Sequence, residues 1–180
     1  MATNQSKADQ VCIRHARPEE VPLLAAVETS AATLFRTIHN LSWIADMPPM
    51  DPGLLHLMVS SNRVWVAVTS DNVPVAFSAA ESKDSRFYIA ELSVHRAWQR
   101  QGIATKLIAK MEKQAREEGF SHISLTTYRD LEWNGRFYAK LGFVEVEPAA
   151  AGVQHVKEIE AESQKGHDIS RRCVMWKRLC

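Results

Sequence analysis

Residues 91–110 read ELSVHRAWQRQGIATKLIAK, and the reading of this stretch decides the fold. Its beginning, taken with the residues before it (RFYIAELSV, 86–94), is rich in aromatic and β-branched residues and reads as a strand. The segment GIATKLIAKMEKQAREEG (102–119) sets Ile103, Leu107, Ile108, Met111 and Ala115 on one helical face, with Gly119 as its C-cap. Between strand and helix lies the short turn QRQGIA (99–104). The first four N–H groups of a helix have no partner within it, and the dipole there is positive, so such a turn suits an anion. Gly102 and Ala104 keep the approach to the main chain open, and Arg100 offers charge-assisted hydrogen bonds. The spacing matches neither the dinucleotide fingerprint, which needs a third glycine, nor GxxxxGK[ST]. From the turn alone, a phosphate cradle and a plain helix start both stay open.

Working outward, HISLTTY (122–128) is the next strand, so residues 86–128 predict a parallel pair with a right-handed crossover. Upstream, VCIRHA (11–16) alternates as a strand, and 17–35 reads as a helix opened by Pro18 and two acids. A Pro-rich irregular stretch (40–53) leads to a short helix at 54–61. RVWVAVTS (63–70) and VPVAFSAAES (73–82) flank Asp71-Asn72, a hairpin signal. Downstream, 132–142 reads as a helix, 143–147 and 171–179 as closing strands, and 153–166 as a helix in a surface insertion spanning 148–168. The order β-α-α-β-β-β-α-β-α-β-β predicts a mixed α/β (α+β) fold. Its central sheet is mostly antiparallel, with one parallel pair and flanking helices.

The 180 residues suit one domain, expected over 11–180 behind a disordered polar tail at 1–10. A formal net charge of +1 gives no argument for nucleic acid or an anionic membrane surface. No apolar run approaches the roughly 20 residues that span a bilayer, and MATNQSKADQ lacks the apolar core of a secretion signal. Cys12, Cys173 and Cys180 form no CxxC pair, which makes a reducing, cytoplasmic setting the default. His155 and His167 lack zinc-ligand spacing, so no metal is expected. The basic run SRRCVMWKR (170–178) reads as a strand with one wet face, and as a candidate for pairing between two copies in a homodimer.

Two motifs carry a resemblance. VHRAWQRQGIA (94–104) is similar to the acetyl-CoA motif of the GNAT acetyltransferase superfamily, Gln/Arg-x-x-Gly-x-Gly/Ala, here Gln99, Gly102 and Ala104. LTTYRDLEWNGRFYAKLGF (125–143) resembles the family's later motif, an Asn before a helix with FY-x-x-x-GF. Two departures stand out. Arg96 sits where many members have Pro, and Ala104 replaces the commoner Gly.

The resemblance implies an acetyl-CoA-dependent N-acetyltransferase with a splayed parallel pair in its sheet. It implies that amides from Arg100 through Gln101, Gly102, Ile103 and Ala104 to Thr105 hold the coenzyme A pyrophosphate. Gln99 belongs to the same motif, and Leu92, Ser93 and Val94 would pair with the pantetheine arm as an added strand. Asn134 and Phe137 would contact the cofactor, and Asn134 would also cap its helix. Tyr138 matches the family's general acid; without the resemblance it is an amphipathic core aromatic beside Phe137. Glu91, at the strand end one residue before the pantetheine-pairing segment, is expected to be the base, with a plain solvent-facing strand glutamate as the other reading of that residue and Glu28 or a water chain as alternative bases. His95 is expected to point away.

The acceptor is expected to be a small-molecule or amino-acid-like primary amine. A protein N-terminus or lysine is the alternative, and the region Ala31 to Gly53 should decide between them. Trp43 and Phe35 are candidates to line the acceptor pocket. A non-catalytic acyl-CoA-binding module and an acetylating toxin of charged tRNA are the rival classes. The near-neutral charge weighs against the toxin.

Overall fold

The computed structural model describes residues 10–179. Most of the tail expected at 1–10, and Cys180, lie outside that range. Among the described residues, seven strands form one sheet in the order β1-β2-β3-β4-β5-β7-β6. They are β1 (Cys12–His15), β2 (Val64–Val68), β3 (Pro74–Lys83), β4 (Arg86–Val94), β5 (His122–Tyr128), β6 (Val144–Val146) and β7 (Arg172–Arg178). The mixed, mostly antiparallel sheet expected from the sequence is present, and its one parallel pair, β4 with β5, registers at Phe87↔Ile123 and Tyr88↔Ser124. The chain divides into two compact units. One runs up to Ala80 and adds Ala90–Met111; the other is Glu81–Ile89 with Glu112 onward.

In the first unit, α1 (Val21–Ala32) and α2 (Pro52–Ser60) cover β2 and β3. Val21, Leu24 and Val27 from α1 and Leu55, Met58 and Val59 from α2 pack on Val64, Val66, Val68, Phe77 and Ala79. Each of the larger side chains among them, the Val, Leu, Met and Phe, stabilises by about 1.5–3 kcal/mol when fully buried. Strand β2 is buried on both faces, which explains its unbroken apolar run VWVAV. Asp51 caps α2 by accepting from the Leu54 amide at 2.9 Å. The helix expected over 17–35 is broken at both ends. Pro18–Glu20 is a 3₁₀ turn in which Glu20 accepts from the Arg17 amide (2.8 Å) and pairs with Arg14 (2.6 Å), and Thr33–Thr37 is another 3₁₀ turn. The Pro-rich stretch also contains a 3₁₀ turn, Ser42–Asp46.

Helix α3 (Ile103–Glu117) has the predicted face: Ile103, Leu107, Ile108, Met111 and Ala115 are all buried. Gly119, at φ +80°, closes it, with Phe120 N–H donating back to Ala115 O at 2.9 Å.

In the second unit, the β3–β4 turn is Asp84-Ser85. Both residues have positive φ (49° and 58°), the geometry of a tight two-residue hairpin. Strand β7 pairs with β5 along its whole length and with β6 on its other side. It is therefore flanked by strands of its own chain, which corrects the expectation of pairing between copies. The expected wet face of β7 is corrected too. Cys173, Val174 and Met175 are buried in succession, and the basic residues find partners inside: Arg172 with Glu162 (2.6 Å) and Lys177 with Glu112 (2.7 Å).

The 148–168 segment forms α5 (Pro148–Ala151) and α6 (Val153–Gln164) and buries Ala151, His155, Ile159 and Glu162. The face of β5 carrying Ser124 and Thr126 is polar and meets α6. His155 Nε2 lies 2.9 Å from Ser124 Oγ, and Thr126 Oγ1 donates to Glu162 at 2.6 Å. The helix expected over 132–142 shortens to α4 (Gly135–Lys140). Among the described residues no helix is long and apolar enough to cross a membrane.

Candidate active site

The first unit holds the end of β4, the turn after it and the start of α3. His95 N–H donates to Val75 O at 2.9 Å, so the pairing with β3 reaches that point, and by alternation the main chain of Val94 faces the other way. The His95 ring turns to local work: Nδ1 accepts from the Ala97 amide at 3.2 Å and caps the 3₁₀ turn Arg96–Trp98. Gln99 is half-buried, and its amide is used at both ends. Nε2 donates to Val94 O at 3.0 Å, and Oε1 accepts from Arg96 Nη1 at 2.8 Å.

Arg100 and Gly102 then both adopt left-handed backbone, at φ 58° and 81°. Glycine takes that conformation freely; an arginine needs support from its neighbours. The Lys106 amide donates to Gly102 O at 3.2 Å as α3 begins. The amides from Gly102 to Thr105 precede that bond and are the ones a helix leaves without internal partners. Successive N–H groups around left-handed residues at a positive helix end form an anion nest. Gly102 and Thr105 are exposed, Gln101 and Ala104 half-buried, and only Ile103 sends its side chain fully into the core. The turn therefore fits a pyrophosphate.

Behind it, Glu91 lies on β4 with Leu92, Ser93 and Val94. Ser93 is buried and its hydroxyl donates to Glu91 Oε1 at 2.7 Å. Burial raises the Glu91 carboxyl above its ordinary range, against the lowering effect of the Ser93 and Leu92 hydrogen bonds. Glu28, on α1, is pushed up to about 7, first by burial and then by the negative charge of Glu91. Both Glu28 oxygens accept from the Met50 amide, at 3.0 and 3.1 Å, so the carboxyl fastens the Pro-rich stretch to α1. Two of the predicted base candidates are thus near enough to feel one another. Trp43 and Phe35 are half-buried in the same unit, and Trp43 Nε1 donates to Asn40 O at 3.1 Å.

The second unit carries Asn134, Phe137 and Tyr138 on and before α4. Asn134 stands at the N-cap position, but its side chain makes no capping bond. Its backbone, at φ −119° and ψ −108°, is outside the usual cap geometry, and only its carbonyl serves the helix, accepting from the Tyr138 amide at 3.0 Å. The predicted side-chain cap is therefore corrected. Gly135 explains how close α4 lies to the loop before it: a Cβ there would fall 2.5 Å from Arg129 O. Tyr138 is buried between Phe137 and Phe143, ring centroids 5.2 and 5.6 Å away. Sequence reasoning did not find Ser30, whose Oγ accepts from the Arg96 amide at 3.1 Å. A contact 66 residues apart through one hydroxyl leaves no local signal.

These features define an acetyltransferase. The Acetyltransferase (GNAT) family profile matches residues 30–143, and the chain belongs to that family. Its members use acetyl-CoA as the acetyl donor. The chain is similar in fold to PaiA N-acetyltransferase from Thermoplasma acidophilum, solved with coenzyme A: TM-score 0.69, 18% identity, 93% of this chain and 98% of that one. It is also similar to N-acetylglutamate synthase from Neisseria gonorrhoeae, solved with coenzyme A and N-acetyl-glutamate (TM-score 0.67, 17% identity, 94% of this chain and 35% of that one). A third likeness is to the ribosomal-protein-S18-alanine N-acetyltransferase of Escherichia coli (TM-score 0.62, 15% identity, 94% of both chains). The names of these structures cover small-molecule and protein acceptors alike.

Proposed function

We propose that the chain transfers acetyl directly from acetyl-CoA to the primary amine of a small molecule or amino-acid-like acceptor. The observation that carries this reading is the pairing, within one unit, of an anion nest at Arg100–Thr105 with two carboxyls held above their ordinary range, Glu91 and Glu28.

Acetyl transfer to an amine needs a place for the amine's proton. A free lysine-type amine has a pKa of about 10.4 and arrives mostly as the ammonium. Glu91 is assigned as the base, directly or through water. A carboxyl raised toward neutrality is matched to that task. Glu28 supports it by spreading the charge over a pair, and two half-buried carboxyls favour an acceptor that arrives as a cation. As the amine nitrogen bonds to the acetyl carbon, the carbon–sulfur bond breaks, and a main-chain amide near Val94 stabilises the charge gathering on the carbonyl oxygen. Tyr138 is assigned as the acid that donates a hydrogen bond, and then a proton, to the departing thiolate. Leu92 and Ser93 are assigned to the pantetheine arm, and Asn134 and Phe137 to cofactor contacts. No cysteine is assigned a covalent role: burial pushes the Cys173 thiol up to about 12, which suppresses the thiolate a nucleophile needs.

The test is a panel of amines with acetyl-CoA, read by thiol release and product mass. The reading predicts release with at least one amine and, for Tyr138→Phe, a fall in kcat of roughly 10²-fold. Coenzyme A binding without release from any amine supports a binding module instead. A Tyr138→Phe variant equal to wild type removes the acid from the mechanism.

A further inference from the structure

The geometry points to a positioning relay, Ser30–Arg96–Gln99–Val94, that sets the cofactor turn from the side of α1. It rests on the reading that the amides of Arg100–Thr105 hold the pyrophosphate. Within it Gln99 and Arg96 act as positioning residues rather than ligand contacts.

Gln99 stands immediately before the left-handed Arg100, and both ends of its amide are committed within the loop. Nε2 holds the Val94 carbonyl, where β4 ends; Oε1 holds the Arg96 guanidinium. A side chain spent in this way fixes the entry of the turn, while the amides that follow remain available to a ligand. Arg96 extends the chain of bonds. Its own N–H donates to Ser30 Oγ at 3.1 Å, so one residue grips α1 with its backbone and Gln99 with its side chain. A proline at this position has no N–H and no guanidinium, and makes neither bond. The departure at Arg96 thus has a structural counterpart in Ser30. Neighbouring bonds brace the same segment: His95 Nδ1 holds the Ala97 amide, and the Trp98 amide donates to His95 O at 2.8 Å.

The strained point downstream gives the relay its purpose. A non-glycine residue persists in left-handed backbone only where its surroundings over-determine it. Arg100 needs that conformation for the nest, and the relay supplies the constraint. Binding then costs less ordering of the loop, which raises affinity without a new ligand contact. Ser30 lies two residues after Glu28 on α1, so the helix that carries one carboxyl of the pair also anchors the turn.

The experiment is a double-mutant cycle of Arg96→Ala and Gln99→Leu, with Arg96→Lys, Arg96→Pro and Ser30→Ala beside it. Coenzyme A binding is read by calorimetry, acetyl-CoA kinetics by KM and kcat separately, and folding by melting temperature. Gln99→Leu is expected to raise Kd and KM roughly five- to tenfold, the scale of one lost hydrogen bond that orders a site, with kcat and melting temperature kept. Arg96→Ala is expected to raise them by less, and the double variant to be no worse than Gln99→Leu alone. Arg96→Lys keeps the main-chain donor and a cation and restores most of the affinity. Ser30→Ala weakens binding in wild type and has no effect on Arg96→Pro.

Additive effects in the cycle, or a Gln99→Leu variant with wild-type Kd, overturn the relay. So does a loss that falls on kcat alone. Failure of the unmutated protein to bind coenzyme A overturns the cofactor reading itself, and is seen before any variant is made.

Discussion

The two units each bury a cluster of titratable groups, and the clusters differ in how well they are satisfied. In the second unit Asp84, His155 and Ser124 stand in the order of a hydrolase triad. Asp84 Oδ2 is 2.7 Å from His155 Nδ1, and His155 Nε2 is 2.9 Å from Ser124 Oγ. His155 and Ser124 are completely buried. Asp84 also accepts from the Gln154 and His155 amides, at 3.1 and 3.0 Å, and so caps the start of α6 from the β3–β4 turn. Every group in that line has a partner, and the result is a staple. In the first unit Glu28 and Glu91 have amide and hydroxyl donors, yet burial holds both above their ordinary range. Geometry alone makes a triad of the first set. The raised carboxyls of the first unit, Glu28 and Glu91, are the groups that the proposed mechanism uses.

The sharpest way to break this contrast is to neutralise one member of each cluster. Glu91→Gln is expected to lower kcat/KM by roughly 10²–10⁴-fold, as loss of a general base does, with the melting temperature kept or raised because a strained charge has gone. His155→Ala is expected to do the reverse. It leaves the buried Ser124 hydroxyl without its ring partner, takes the imidazole bond from Asp84 and opens a void, costing about 2–3 kcal/mol of stability, while kcat below the melting temperature is unchanged. Loss of activity in His155→Ala with stability intact would make the buried line functional after all.

A pH series sharpens the comparison further, because the two clusters have opposite signs. Folded Glu28 keeps its proton up to about 7, whereas the unfolded residue releases it near 4.5. The folded state binds more protons in that window, so this contribution to stability is present below 4.5 and fades as pH rises through about 7. His155 is held below its ordinary 6.5, chiefly by burial. The unfolded state takes the proton first, so its contribution is present above 6.5 and fades as pH falls. The difference in stability between wild type and Glu28→Gln should therefore shrink as pH rises, and that between wild type and His155→Gln should shrink as pH falls. Parallel slopes for the two variants contradict the assignment. The same titration predicts that kcat/KM rises with pH near neutrality and that Glu28→Gln shifts the inflection.

The smallest expected effect belongs outside both clusters. Lys113 and Glu117 pair on the exposed side of α3, and Lys113→Ala should cost no more than about 0.5 kcal/mol.

How much of this was legible in the sequence varies with the range of the interaction. The period of Ile103, Leu107, Ile108, Met111 and Ala115 announced α3, and all five are buried, because an amphipathic face is a local property. Strands β4 and β5 were readable to the residue for the same reason. The nest was half legible: Gly102 signalled it, but nothing marked Arg100 as its left-handed partner. Asn134 shows the limit of a residue preference, since its backbone angles leave the side chain no capping bond. Strand β7 misled for a different reason. Alternating basic and apolar residues look like a wet face, and only the long-range placement of Glu162 and Glu112 shows that the cations are neutralised inside. The Asp84–His155–Ser124 line and the Ser30–Arg96 bond join residues too far apart in sequence for any spacing rule.

The central claim is that the amides around Arg100 to Thr105 receive the pyrophosphate of the acetyl donor. Titrating coenzyme A into the ¹⁵N-labelled protein tests it most directly. The account predicts that the amide resonances of Gly102, Ile103, Ala104 and Thr105 move first and furthest, with saturation. Binding that leaves those resonances in place while others move, or no binding at all, contradicts it.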